Sequence, residues 1–130
     1  MVESALLDYL IDQLAPLGDV RGRRMFGGHG LYLNGAMVGI IDVETLYLKV
    51  DAGNRAAFEA ESMAPFTYVN KGRRIALSYW EAPAAVIEEP EQLQQWVSEA
   101  AAAARRAKAA KPSRAAKPPA RAKKLRRPSP

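Results

Sequence analysis

Apolar and polar residues follow two different rhythms along this 130-residue chain, and the changes of rhythm divide it into elements. Leu6, Leu7, Leu10, Ile11 and Leu14 recur at spacings of three and four, with Asp8, Asp12 and Gln13 off the stripe. This is the apolar face of a helix, which Ser4 is placed to cap and Pro16 and Gly18 to end. From about Arg23 the period shortens to two. Leu31-Tyr32-Leu33 and Met37-Val38-Gly39-Ile40-Ile41 flank Asn34-Gly35, a pair that takes up the positive φ angles of a two-residue hairpin, so the two segments are expected to be antiparallel neighbours. In Thr45-Leu46-Tyr47-Leu48-Lys49-Val50, Leu46, Leu48 and Val50 point one way and Thr45, Tyr47 and Lys49 the other, which predicts a strand with one core face and one wet face.

Asp51 or Asn54 is then placed to cap a short helix through Arg55, Phe58 and Glu61. Two further strands, Phe66 to Val69 and Arg73 to Trp80, are joined by Asn70-Lys71-Gly72, read as a three-residue loop with a bulge. Pro83 opens a helical turn and Pro90 a longer helix, with Leu93, Trp96, Val97, Ala100, Ala101 and Ala104 on its stripe. Glu88, Glu89 and Glu91 at its start and Arg105, Arg106 and Lys108 at its end complement the helix dipole, and Lys111-Pro112 disfavours its continuation. The order predicts an α+β fold in two layers, an antiparallel sheet of about five strands with helices packed mainly on one face.

Charge divides the chain more sharply than hydropathy does. Residues 1–104 carry eight Lys/Arg against all fourteen acids, a net charge of −6, whereas the last 26 residues carry eleven cations and no acid. We therefore expect a domain over residues 1–110 and a basic, disordered Ala/Lys/Arg/Pro tail over 111–130, which is too poor in apolar residues to bury a core. The cations that start on the helix and run through the tail are Arg105, Arg106, Lys108, Lys111, Arg114, Lys117, Arg121, Lys123, Lys124, Arg126 and Arg127. Spaced by Ala and Pro, they suit sequence-independent contact with the phosphates of DNA or RNA; a solubilising tail, or one that contacts acidic proteins, is the competing reading. With no cysteine, thiolate nucleophiles, disulfides and cysteine metal sites are excluded. No run reaches membrane-spanning length, and the first apolar stretch contains Asp8 and Asp12 and lacks a basic leader, so a cytoplasmic location is expected, next to the nucleoid if the tail binds nucleic acid.

Candidate chemistry concentrates in Arg24-Met25-Phe26-Gly27-Gly28-His29-Gly30, which holds three glycines and the only histidine. Glycines this close imply tight backbone approach, either to a ligand or to the protein's own core, and we read the loop first as a packing device that lies close beneath the N-terminal helix. As a ligand loop it would hold a small anion between His29 and Arg23 or Arg24. It is not a phosphate cradle, because it lacks a following Lys-Ser/Thr and leads into a strand. Asp42, Glu44 and Asp51 are the carboxylates to consider as co-ligands, but they fall at element ends where charges are normally solvated, and a lone histidine with such scattered partners makes no metal site; no cofactor is expected. Ser78 is the one serine to consider as a nucleophile for His29. Tyr47, Tyr68, Tyr79 and Trp80 form either a base-stacking surface or ordinary cross-strand pairs.

Four separated blocks carry a family resemblance: Met25-Phe26-Gly27-Gly28-His29-Gly30-Leu31-Tyr32, Leu46-Tyr47-Leu48-Lys49-Val50-Asp51, Pro65-Phe66-Thr67-Tyr68 and Ser78-Tyr79-Trp80-Glu81-Ala82-Pro83. In this order they resemble the N-terminal domain of the TfoX/Sxy family, over about residues 5 to 104. The resemblance implies a small α+β domain. It also implies kinship with bacterial regulators of natural competence, in which a helical C-terminal domain follows; here the basic tail stands in its place. The expectation is a non-enzymatic accessory or regulatory protein, a stand-alone copy of the domain that contacts a protein partner and, through its tail, nucleic acid. The alternative is a small-anion or metabolite-binding domain, hydrolytic in one version, that uses Arg24 and His29. Both a monomer and a homodimer are compatible with the sequence.

Overall fold

The computed structural model describes residues 4–25 and 27–110, whose element order follows the rhythms above. Helix α1 (Ala5–Leu14) and a single 3-10 turn (Ala15–Leu17) lead into strands β1 (Val20–Met25), β2 (Gly28–Leu33), β3 (Ala36–Asp42) and β4 (Thr45–Lys49). Helix α2 (Arg55–Ala60), the hairpin β5 (Pro65–Asn70) and β6 (Arg73–Glu81), and helices α3 (Ala84–Glu88) and α4 (Pro90–Ala110) complete the fold. The strands form one antiparallel sheet in the order β1-β2-β3-β4-β6-β5. The architecture is the expected two-layer α+β fold, with β1 starting earlier than Arg23. Val20 and Gly22 carry the inward positions of that strand, and the arginines between them hide the alternation.

Ser4 caps α1, its hydroxyl accepting from the Leu7 N–H at 3.0 Å. Leu7, Leu10 and Leu14 then face the sheet. Gly22 on β1 is what lets α1 sit down: a β-carbon there would run into the Leu7 side chain. The core lies between the helices and the sheet, with Leu31, Leu33, Val38, Ile41, Leu46 and Leu48 from the strands meeting Leu93, Val97, Ala100, Ala101 and Ala103 from α4. Ala103 is buried, rather than Ala104 alone carrying the end of the stripe. A bulge sits where the register passes from Leu31↔Gly39 to Tyr32↔Met37, and the extra residue, Val38, is fully buried.

Two local expectations change. The β5–β6 connection is a two-residue turn, Lys71-Gly72, with both residues at positive φ (54° and 78°) and Asn70 paired with Arg73. Two positive φ angles match the right-handed twist of the strands, so no bulge is needed. Asn54 does stand at the N-cap position of α2, but its side chain makes no capping hydrogen bond. Its side chain turns back, accepting from the Asp51 N–H and donating to the Lys49 carbonyl, while the Asp51 carboxylate accepts from the Gly53 N–H.

Helix α2 has only six residues, too few to be stable alone, and is held by Phe58, whose ring meets those of Trp80 and Trp96 edge-on at 6.3 and 4.7 Å. Phe58→Ala should therefore lower the unfolding free energy by about 3–5 kcal/mol. Urea unfolding followed by tryptophan fluorescence measures this, and a loss below about 1 kcal/mol would show that α2 is not anchored by this ring.

Candidate functional site

The two faces of the sheet differ in kind, and alternation assigns each candidate residue to one of them. His29, Leu31, Ile41, Leu46, Leu48 and Trp80 point toward the helices; Met25, Gly28, Ile40, Tyr47, Leu77 and Tyr79 point away. On that second face lies a cavity of about 530 Å³, lined mostly by apolar side chains. Met25 on β1 and Phe66 and Tyr68 on β5 all line it, although β1 and β5 are the two edge strands. The sheet is therefore strongly curled and the cavity is its concave side.

Gly28 and Gly30 contribute to that concavity. A β-carbon on Gly28 would collide with the Ile41 carbonyl oxygen, so β2 and β3 approach there only because the position is bare. Gly30 lies beneath the ends of Met25 and Tyr32. Gly27 forms the turn between β1 and β2 at φ +80°. The glycines thus serve the sheet and its hollow, and the residue that accepts α1 is Gly22. Phe26 lies outside the described residues.

His29 is 8% exposed and directly opposite Arg24 in the strand register, so the sequence neighbours that form the proposed anion loop do meet across β1 and β2. An anion is already at hand, because the Glu44 carboxylate comes to the start of α1. It accepts from the Ser4 hydroxyl at 2.6 Å and from the Leu6 N–H at 2.9 Å. The Ser4 bond, then the Leu6 N–H, hold this carboxyl below its ordinary range against the effect of desolvation, with the Ala5 N–H and His29 adding weaker pulls. A carboxylate at a helix N-terminus gains from both the unpaired N–H groups and the dipole.

Ser78 lies on β6, three strand spacings or about 14 Å from β2. Its hydroxyl accepts from Lys49 Nζ at 2.7 Å, and no Ser–His pair is assembled. Among the described residues no group of three or more His, Asp or Glu side chains converges. Of the aromatic set, Tyr47, Tyr68 and Tyr79 share the concave face, whereas Trp80 is on the helical side against Phe58. Sequence reasoning missed Phe66, which meets Tyr47 edge-on at 4.9 Å, and Tyr32, which lies under the Arg23 guanidinium at 5.6 Å. Alternation within each strand would have placed both on this face, but only the curl of the sheet makes the face a groove. Burial, followed by the charges of Glu81 and Asp42, pushes the Tyr47 phenol up; burial, then Tyr32, does the same to Tyr79. Both are neutral hydroxyls at physiological pH.

Of the basic residues near the C-terminus, Arg105 and Lys108 are exposed on α4. Arg106 instead grips Asp51 with two hydrogen bonds, of 2.6 and 2.7 Å, and belongs to the folded domain. Lys111, Arg114, Lys117, Arg121, Lys123, Lys124, Arg126 and Arg127 lie outside the described residues. No described helix is long and apolar enough to cross a membrane.

A two-layer α+β domain with helices on one sheet face and a curled aromatic groove on the other is the class these features define. Residues 12–104 match the model of the TfoX N-terminal domain, and the chain belongs to that family. No curated protein sequence matches it.

The Asp51 carboxyl, held first by the Arg106 hydrogen bonds and opposed by burial, titrates near about 2 rather than its ordinary 3.8. A lowered carboxyl stabilises the fold above its unfolded-state pKa and loses that contribution as pH falls through the folded value. Arg106→Ala should thus lower the melting temperature at every pH above about 4, and the gap from the unsubstituted protein should close between pH 4 and 2. Melting curves across that range check it; a gap independent of pH would place the effect in helix α4 and not in the ion pair.

Proposed function

We propose that the protein is a non-enzymatic accessory or regulatory factor, a TfoX N-terminal domain that works by contact with other macromolecules. Its basic C-terminal segment draws nucleic acid to it without reading sequence. The observation that carries this reading is how the reactive side chains are employed. Glu44 holds the start of α1 and feels the charge of the buried His29, Ser78 is bonded to Lys49, and Asp51 is bonded to Arg106, which leaves recognition surfaces where catalysis would need a convergent cluster. Membership of the TfoX N-terminal domain family supports the regulatory class. Eight cations without one acid over residues 111–130 support the attraction to nucleic acid. The factor acts in the cytoplasm, beside the nucleoid.

Because Arg106 belongs to the domain, the electrostatic segment is counted from Lys111. If its eight cations all met phosphates, the log–log salt slope of duplex DNA binding would approach about −7. Deleting residues 111–130, which leaves the Arg106–Asp51 pair in place, should abolish salt-sensitive retention on duplex DNA. Equal retention by the shortened chain would overturn the role given to the segment.

A further inference from the structure

Charge is sorted between the two layers of the domain. Of the eight cations in residues 1–104, seven lie on strands or their connecting turns: Arg21, Arg23 and Arg24 on β1, Lys49 on β4, and Lys71, Arg73 and Arg74 at the β5–β6 turn. Helices α1, α2, α3 and α4 and the loops flanking them hold most of the acids, whereas the strands and their turns carry Asp42, Glu44 and Glu81. Glu44 points to α1, so only Asp42 and Glu81 belong to the concave side. The concave side also holds five of the nine aromatic residues among the described residues, Tyr32, Tyr47, Phe66, Tyr68 and Tyr79. Two of them already carry a cation on the ring: Arg23 over Tyr32 and Lys49 over Tyr79, at 5.6 and 5.2 Å.

We propose that the concave face binds single-stranded nucleic acid, with unstacked bases against Phe66, Tyr68 and Tyr79 and phosphates along Arg23 and the neighbouring cations of the rim. This deepens the nucleic-acid reading above and assigns it a second, folded surface. Base faces need apolar, flat partners, and phosphates need cations within a few ångströms of them; a curled sheet with aromatic rings inside and arginines on its edge strand supplies both. Asp42, inside the groove, fixes which part of the strand enters. Its carboxylate repels phosphate but accepts from an exocyclic amino group, so the base points inward and the backbone outward. A duplex keeps its bases stacked on one another and has no free face to offer these rings.

The test uses the full chain and a fluorescein-labelled 12-nucleotide DNA of mixed sequence, single-stranded or annealed to its complement, read by fluorescence anisotropy over a series of salt concentrations, with affinities compared at matched salt. Single-stranded DNA should bind more tightly than the duplex. Tyr68→Ala, at a ring that is 42% exposed on an edge strand, should weaken single-strand binding about tenfold, the value of one lost base–ring stack, and leave duplex binding unchanged. Arg23→Ala should weaken it too and reduce its salt slope by about one. Equal affinity for both forms with no effect of either substitution overturns this proposal while leaving the basic segment as the binder. Absence of binding to either form overturns both readings. A dimer in sedimentation velocity that Tyr68→Ala splits assigns the face to a second copy of the chain and overturns the proposal as well.

Discussion

Everything in the domain depends on how closely α4 lies against the middle of the sheet. Its buried stripe begins with Leu93 and Val97 and then narrows to Ala100, Ala101 and Ala103, and these small side chains bring the helix backbone down onto Val38, Leu46 and Leu48. Close approach leaves no room for a second layer of side chains, so the core is thin and every position in it is felt. Gly39 belongs to the same constraint: a β-carbon there would meet the Tyr47 carbonyl oxygen and crowd Leu46 and Leu48. The helices cover the convex face of the sheet, and the hollow lies on the far face, where strand twist and the bulges between β2 and β3 and between β5 and β6 curl the edges away from α4.

The hairpin that joins β3 to β4 shows what the helical layer costs. Val43 and Glu44 both have positive φ (49° and 55°), a conformation unfavourable for any side chain and most of all for a branched one, and Val43 is 85% exposed. Nothing is gained at Val43 itself. The tight turn delivers Glu44 to the first N–H groups of α1, so strain in the sheet is offset by an electrostatic clasp on the helix.

The sequence disclosed the elements that announce themselves locally. The Leu6–Leu14 stripe with its Ser4 cap, the Asn34-Gly35 hairpin and the Pro90 helix were all readable, because each rests on neighbours within about four residues. What it hid depends on strands distant in sequence. β1 was half visible because Val20 and Gly22 carry its inward side with arginines between them, and the pairing of Glu44 with Ser4 spans forty residues. The groove was the least legible feature. Tyr47, Tyr68 and Tyr79 could be singled out as aromatic, and alternation sets Trp80 opposite Tyr79, but only strand order and curl gather the tyrosines with Phe66 and Tyr32 around one hollow.

The arginines of β1 have a further consequence, for the behaviour of the protein in concentrated solution. An open sheet presents two edges with unpaired N–H and C=O groups, each a template for another copy of the chain. Here one edge strand carries Arg21, Arg23 and Arg24, and the other starts at Pro65 and ends beside Lys71 and Arg73. Two such edges brought together would set like charges side by side and, at Pro65, lack a donor for the ladder. The pattern that gives the sheet its charge therefore also works against edge-to-edge addition of strands.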